Sequence, residues 1–217
     1  MCGRYKQTGA LAELKRILGL DGGFDVETDI IAPGMLAPVI RGGAIATLRW
    51  GFVPGWSRED IGTKIINARS ESCAEKPSFR QAFMRQRCAI PANGFFEWDR
   101  SVKPSQPYDI HFENDAPFAF GGLWDRWQNP ATGEAVESFA IVTRAATPEI
   151  AGVHDRMPVI LRTRGALNRW LSAETALPVL SALIAAPPEG LLLAPCAPLR
   201  AAAGHDLPEP DNQLALF

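Results

Sequence analysis

Long apolar runs are missing from this sequence of 217 residues. No segment reaches the roughly 18 consecutive apolar residues that a membrane-spanning helix requires, so we expect no membrane partner. The amino-terminal residues also lack the apolar stretch and the small-residue cleavage site of a secretory signal peptide. Together these absences predict a cytoplasmic protein.

A surplus of positive charge is missing as well. The formal net charge is −2 at pH 7, which argues against a protein that coats nucleic acid by charge alone. Arginine nevertheless supplies 17 of the 22 basic residues, and its planar guanidinium grips phosphate at two points. The composition therefore allows local phosphate contacts but not a uniformly basic surface.

Closely spaced cysteines are the third absence. The four cysteines lie far apart, at Cys2, Cys73, Cys88 and Cys196. Without a C-x-x-C pair we expect no zinc site, and structural disulfides are not expected in a reducing compartment. We predict no metal and no cofactor, so each cysteine is judged by its own surroundings.

The apolar pattern predicts one α+β domain over residues 1–200. Residues 8–20 indicate an amphipathic helix, residues 71–87 a helix or helical turns, and residues 165–185 two helices. Apolar runs bounded by Gly and Pro predict strands over 45–52, 88–98, 108–112, 118–127, 138–143 and 191–196. This order favours a mostly antiparallel, curved sheet. Residues 201–217 are expected to form a flexible acidic tail.

Its position gives Cys2 unusual chemistry. Aminopeptidases remove an initiator Met before a small residue, and the product carries an α-amine beside a thiol. The reference pKa of that amine, near 7.7–8.0, leaves a nucleophilic fraction at neutral pH. The amine can form an imine with an aldehyde, and the thiol can then close a thiazolidine ring. Arg4 predicts a lowered thiol pKa, although Cys2 taken alone is more simply an accident of a frayed terminus.

Three other polar side chains stand beside apolar segments. Asn67 can orient a hydroxyl or an imine nitrogen. Glu97 lies between aromatic residues, where burial raises a carboxyl pKa and suits it to proton transfer. His154 is the natural general acid or base near neutral pH. Each also has a structural interpretation: Asn67 as a helix cap, Glu97 on an exposed strand edge, and His154 as a buried structural histidine.

The segments that carry these residues together resemble the SOS-response-associated peptidase (SRAP) family, also called abasic-site processing proteins. They are MCGR (1–4), IAPG (31–34), RWGFVPGW (49–56), INARSE (66–71), RCAIPANGFFEW (87–98), IVTRAA (141–146) and VHDRMPVIL (153–161). Each motif is weak by itself. In this order, from residue 1 to residue 161, they are highly specific.

The resemblance implies a barrel-like, mainly antiparallel sheet flanked by helices, and covalent capture of abasic sites in single-stranded DNA during the DNA damage response. It implies that Cys2 forms a thiazolidine with the ring-opened sugar, that Asn67 positions the sugar, and that Glu97 and His154 move protons. It further implies phosphate or polar contacts at Arg4, Arg69, Thr143 and Arg156, and base-stacking surfaces at Pro33, Trp56 and Trp98. The family name also implies a thiol autopeptidase activity.

The last five residues are similar to the short peptide that bacterial proteins insert into the sliding clamp of the replicative polymerase. Two Leu and a Phe at the end of an acidic tail suggest a docking peptide. The predicted clamp-binding residues are Gln213, Leu214, Leu216 and Phe217. The alternative is a tail that folds back onto the domain.

Two other functional classes stay open on the sequence. An N-terminal-nucleophile hydrolase of the glutamine amidotransferase type also begins Met-Cys-Gly, but the glutamine-binding motifs it needs, such as Asn-Gly-Glu, do not occur. In a non-catalytic module that binds single strands, Cys2 is incidental. A glutaminase assay tests the hydrolase, and covalent capture of abasic DNA that survives denaturation distinguishes abasic-site processing from the non-catalytic module.

Overall fold

The computed structural model describes residues 2–21 and 30–199. The strands in these ranges are β1 (Tyr5–Lys6), β2 (Ile30–Ile31), β3 (Leu36–Arg41), β4 (Ala44–Trp50), β5 (Asn67–Arg69), β6 (Arg87–Ala92), β7 (Gly94–Asp99), β8 (Gln106–Phe112), β9 (Phe118–Gln128), β10 (Ala135–Ala145), β11 (Arg156–Pro158), β12 (Ile160–Leu161) and β13 (Leu191–Pro195). The α-helices are α1 (Ala10–Leu18), α2 (Ser70–Cys73), α3 (Arg80–Arg85), α4 (Pro148–Ala151), α5 (Arg164–Leu171) and α6 (Leu177–Ala185).

A closed barrel of five strands forms the centre of the fold. β3 pairs with β4 and β6, β6 pairs with β9, β9 pairs with β10, and β10 closes the ring on β4. The β10–β4 pairing is parallel and the others are antiparallel, so the barrel is mixed. The predicted α+β fold with a curved, mainly antiparallel sheet is confirmed.

A second, antiparallel sheet brings the amino terminus of the chain to the barrel. Its strand order is β13-β8-β7-β1-β2, and Tyr5 in β1 lies opposite Phe95 on one side and Ile31 on the other. The sequence predicted one strand over 88–98, which is wrong. The chain passes from the barrel strand β6 to β7 at Asn93, whose backbone N–H donates to the carbonyl of Lys6 at 3.1 Å.

Aromatic rings fill the barrel. Tyr5 packs edge-on against Trp50 and Phe120, with ring centroids 5.2 and 5.5 Å apart. The predicted amphipathic helix is confirmed as α1, which buries Leu11 and Leu14 in a second apolar cluster. The region predicted over 71–87 consists of two short helices, α2 and α3, and the predicted pair over 165–185 is α5 and α6.

A close backbone approach fixes the segment that leads into β5. Gly51 has φ 137°, and a Cβ there would lie 2.7 Å from the carbonyl oxygen of Gly62, so only glycine fits. Next to it, the N–H of Phe52 donates to the carbonyl of Ile65 at 2.8 Å. These contacts place Asn67 at the start of β5, which runs parallel to β10.

No helix within residues 2–21 and 30–199 is long and apolar enough to cross a bilayer. The predicted tail over 201–217, with its clamp-binding peptide, falls outside the described residues.

Candidate active site at the amino terminus

Asn67 connects the barrel to the residue that follows Met1. Its side-chain N–H donates to the backbone carbonyl of Cys2 at 3.1 Å, and both residues are buried. The other side-chain atom, Oδ1, is buried and has no hydrogen-bond partner among the described residues. Buried acceptors normally find a donor. Asn67 therefore offers an open acceptor beside Cys2, which fits its predicted role better than a helix cap does.

The thiol of Cys2 is held in its protonated form. Burial raises its pKa well above the ordinary value, and the nearby Glu97 carboxylate raises it further, while the positive amino terminus, the hydrogen bond to the Arg4 carbonyl and the Arg4 charge lower it less. The Sγ–H donates to that carbonyl at 3.7 Å. The Arg4 charge acts in the expected direction, but the net thiol pKa is raised because desolvation outweighs one neighbouring charge.

Glu97 carries a carboxyl group suited to proton transfer. Its side chain is 1% exposed, and burial raises its pKa to about 7, against the lowering effect of the positive amino terminus. The predicted burial is therefore confirmed, and the exposed-edge alternative is wrong. A group of this pKa can accept a proton and return it near neutral pH.

His154 is neutral at physiological pH. Burial, followed by the positive amino terminus, lowers its pKa to about 4. The N–H of Arg156 donates to Nδ1 at 2.9 Å, which leaves the imidazole proton on Nε2. The carboxylate of Asp155 also lies 3.0 Å from Nδ1 but is 86% exposed, and it pairs only with a protonated ring. His154 is therefore a hydrogen-bond donor through Nε2 rather than a base.

The cations predicted to contact phosphate differ in their exposure. Arg69 is exposed, as a phosphate contact requires. Arg4 is buried and donates to the carbonyl of Gly3 at 2.6 Å. Arg156 makes a two-point contact with the carboxylate of Glu71, at 2.7 and 2.8 Å. DNA contact by these three residues stays a prediction, with Arg69 the best placed.

Thr143 does not present its hydroxyl to solvent. The residue is fully buried, and Oγ1 donates to the carbonyl of Ala68 at 3.5 Å. It lies in β10 between Arg69 of β5 and Pro158 of β11, so neighbouring strands enclose it. The predicted polar contact between this side chain and DNA is corrected: the hydroxyl ties two strands together.

The two tryptophans predicted to stack on bases have opposite surroundings. Trp56 is 64% exposed and fits the role, and Pro33 is half-buried in the turn between β2 and β3. Trp98 is 5% exposed and packs with Phe96 and Leu199. Because side chains alternate along a strand, Trp98 lies on the face of β7 opposite Glu97. The expected exposed surface at Trp98 is therefore wrong.

Two contacts in and near the site were missed by the sequence analysis. One is the Glu71–Arg156 ion pair. The other is Arg144, whose guanidinium donates to the carbonyls of Ile184 and Ala186 at 2.9 and 2.8 Å and caps the end of α6. Glu71 stands inside the INARSE segment and Arg144 inside IVTRAA, but a motif does not reveal a partner distant in sequence.

The site thus combines a buried thiol, a carboxyl group that titrates near pH 7, an open amide acceptor and an imidazole donor. Across residues 2–21 and 30–199, no cluster of His, Cys, Asp and Glu side chains could hold a metal ion. Once Met1 is removed, the α-amine of Cys2 would join these groups. Such a set can condense an amine and a thiol with one carbonyl carbon.

Comparisons with known proteins agree over nearly the whole chain. A sequence model of the family described as SOS response associated peptidase (SRAP) matches residues 1–197. The abasic site processing protein YoqW of Bacillus subtilis (strain 168) is 32% identical over 188 residues, which cover 82% of this chain and 83% of that protein. The abasic site processing protein HMCES of Xenopus tropicalis is 32% identical over 149 residues, covering 58% of this chain and 44% of that protein. A crystal structure of a protein from Bacteroides thetaiotaomicron has a TM-score of 0.83 at 25% identity and covers 90% of this chain and 92% of its own.

Proposed function

We propose, from the premise that this chain belongs to the SOS response associated peptidase family, that it recognises abasic sites in single-stranded DNA and links to them through Cys2. The observation that carries the proposal is the hydrogen bond from Asn67 to the Cys2 carbonyl, beside the buried carboxyl group of Glu97. The names of the relatives support the substrate. The peptidase activity in the family name is interpreted as the removal of Met1, which exposes the amine.

The first step joins the amine of Cys2 to the aldehyde carbon of the ring-opened sugar. The nitrogen lone pair forms the C–N bond, and the carbonyl oxygen takes a proton from that nitrogen and becomes a hydroxyl. The protonated carboxyl group of Glu97 donates a proton to this hydroxyl, which leaves as water and gives a protonated imine. The open Oδ1 of Asn67 accepts a hydrogen bond from the nitrogen or from a sugar hydroxyl.

The second step closes the ring. The sulfur of Cys2 attacks the imine carbon, the C–S bond forms, and the C=N electron pair returns to nitrogen. Because burial keeps the thiol protonated, its proton must leave as the bond forms. The Glu97 carboxylate, left ionised by the first step, accepts it. The product is a neutral thiazolidine, and the Nε2–H of His154 donates a hydrogen bond to a sugar oxygen.

Recognition relies on what surrounds the missing base. An abasic sugar offers no base edge, so affinity comes from the backbone and from neighbouring bases. The exposed Arg69 supplies a charge for phosphate, and the exposed ring of Trp56 supplies a stacking surface. A single strand suits this site because no base pair has to open.

Intact-mass spectrometry tests the proposal directly. The purified protein is expected to lack Met1, and incubation with an abasic single strand should add the mass of the strand less one water. A strand carrying a reduced abasic sugar, which has no aldehyde, is the control and should add nothing. Binding without a mass shift would identify a non-catalytic module. Glutamine hydrolysis without an adduct would identify an amidotransferase.

We also propose that residues 213–217 bind the bacterial sliding clamp, on the strength of their sequence alone. Deleting these five residues should abolish clamp binding in surface plasmon resonance and leave crosslinking to bare oligonucleotides unchanged. Replacing Leu216 and Phe217 with alanine in the full-length chain should have the same effect, because both apolar anchors are lost. Unchanged clamp affinity after the deletion would refute the assignment.

A further inference from the structure

The guanidinium of Arg156 is held by protein atoms on two sides. Its two terminal nitrogens each donate to one carboxylate oxygen of Glu71, at 2.7 and 2.8 Å. One of them also donates to the backbone carbonyl of Thr143 at 2.9 Å. A two-point contact between a guanidinium and a carboxylate fixes the orientation of both groups.

This ion pair spans a barrel strand. Thr143 of β10 pairs with Arg69 of β5 along one edge and with Pro158 of β11 along the other. Glu71 lies in α2, directly after β5, and Arg156 begins β11. The pair therefore connects the two segments that flank β10, across the buried side chain of Thr143.

Each of those segments also carries a residue of the site. Asn67, which begins β5, holds the carbonyl of Cys2. On the other side, the backbone N–H of Arg156 donates to Nδ1 of His154 and fixes its tautomer. The Glu71–Arg156 contact, whose carboxylate is 54% exposed and whose guanidinium is 12% exposed, thus links the segment that carries Asn67 to the segment that follows His154.

We propose that Glu71 is a positioning residue of the crosslinking site. By clamping Arg156 across β10, it holds His154 and Asn67 at the spacing that the reacting sugar requires. It touches neither the sugar nor Cys2. The inference rests on the proposed function, since its consequence is read in the rate of adduct formation. The alternative role for Glu71 is that of a competitor, which binds Arg156 until a DNA phosphate displaces it.

The variant Glu71→Gln keeps the shape of the side chain and removes its charge. Misplacement of reacting groups by about 1 Å can cost 10²-fold in rate, so we expect the maximal single-turnover rate of crosslinking to fall roughly tenfold. Affinity for a strand with a reduced abasic sugar should stay unchanged, as should its salt dependence. Glu71→Asp, which keeps the charge, should recover part of the rate. The matched control is Glu75→Gln, an exposed carboxylate four residues further along the chain, and it should behave as the wild type.

A readout without DNA separates this inference from the proposed function. In nitrogen-15 NMR spectra of the wild type, His154 should show a neutral ring protonated at Nε2, and Glu71→Gln should show a mixture of tautomers. That result would stand even if no abasic adduct formed.

Two outcomes would overturn the inference. Tighter DNA binding by Glu71→Gln, with a salt slope steeper by about one phosphate contact, would mean that Glu71 competes with DNA for Arg156. An unchanged rate together with an unchanged His154 spectrum would mean that the ion pair positions nothing.

Discussion

Replacing Cys2 with alanine should abolish the stable adduct with abasic single-stranded DNA and leave most of the affinity for the strand. The variant keeps an α-amine at position 2 after Met1 removal, so it can still form an imine, but it has no sulfur to close the ring. Imines hydrolyse on denaturation. A denaturing gel should therefore show no adduct, whereas treatment with borohydride before denaturation should reveal one.

The serine variant is the matched control for this experiment. Cys2→Ser keeps the buried shape and a hydroxyl, which is a weaker nucleophile than a thiol, so its adduct should also depend on reduction. A preparation that retains Met1 should give no adduct on the denaturing gel, because the free amine and the thiol are then on different residues and the five-membered ring cannot close. If Cys2→Ala gave as much adduct as the wild type on the denaturing gel, that result would contradict the thiazolidine mechanism.

Among variants that keep both the amine and the thiol of Cys2, Glu97→Gln is expected to lower the crosslinking rate most. General acid–base catalysis contributes about 10²- to 10⁴-fold, and we expect a loss of at least about 10²-fold in the crosslinking rate. With the pKa of Glu97 at about 7, the wild-type carboxyl group is increasingly ionised above pH 7 and cannot donate the proton that expels water in the first step. Rapid-quench measurements should show an inflection near pH 7 in the wild type and none near this pH in the variant.

Thermal unfolding provides the control for folding of this variant. The pKa of Glu97 is 4.5 in its ordinary state and about 7 in the fold, so the folded protein binds a proton that the unfolded chain has released. Stability associated with this group is present below pH 4.5 and is lost as the pH rises through 7. The difference amounts to roughly 3 kcal/mol. Glu97→Gln should therefore match the wild type at pH 4 and unfold at a higher temperature at pH 8. A lower unfolding temperature at pH 8 would contradict the buried, largely desolvated carboxyl group.

Local patterns were enough to predict α1, the pair α5 and α6, and the burial of Glu97. The spacing of Leu11 and Leu14 defines one face of α1, and the apolar residues around Glu97 indicate that its side chain is buried. Both are properties of neighbours in sequence. The raised pKa of Glu97 follows from burial in the same way.

Contacts between distant segments escaped prediction. Glu71 and Arg156 are 85 residues apart, and nothing in either segment specifies the other. The continuous apolar run around Trp98 hides the alternation of side chains, since both faces of β7 are buried, so the face that Trp98 occupies was not evident. The net thiol pKa could not be predicted for the same reason: Arg4 is a sequence neighbour of Cys2, whereas the desolvation that outweighs its charge depends on burial in the folded protein.

The protonated state of Cys2 also determines which reagents the residue resists. Peroxides and alkylating agents react with thiolates far faster than with thiols, and a fully buried thiol with a raised pKa presents almost none. The chain should consequently keep this sulfur reduced under oxidative conditions that inactivate exposed cysteine enzymes. Under the proposed mechanism, carbonyl compounds should be its preferred reactants, because the adjacent amine captures them first.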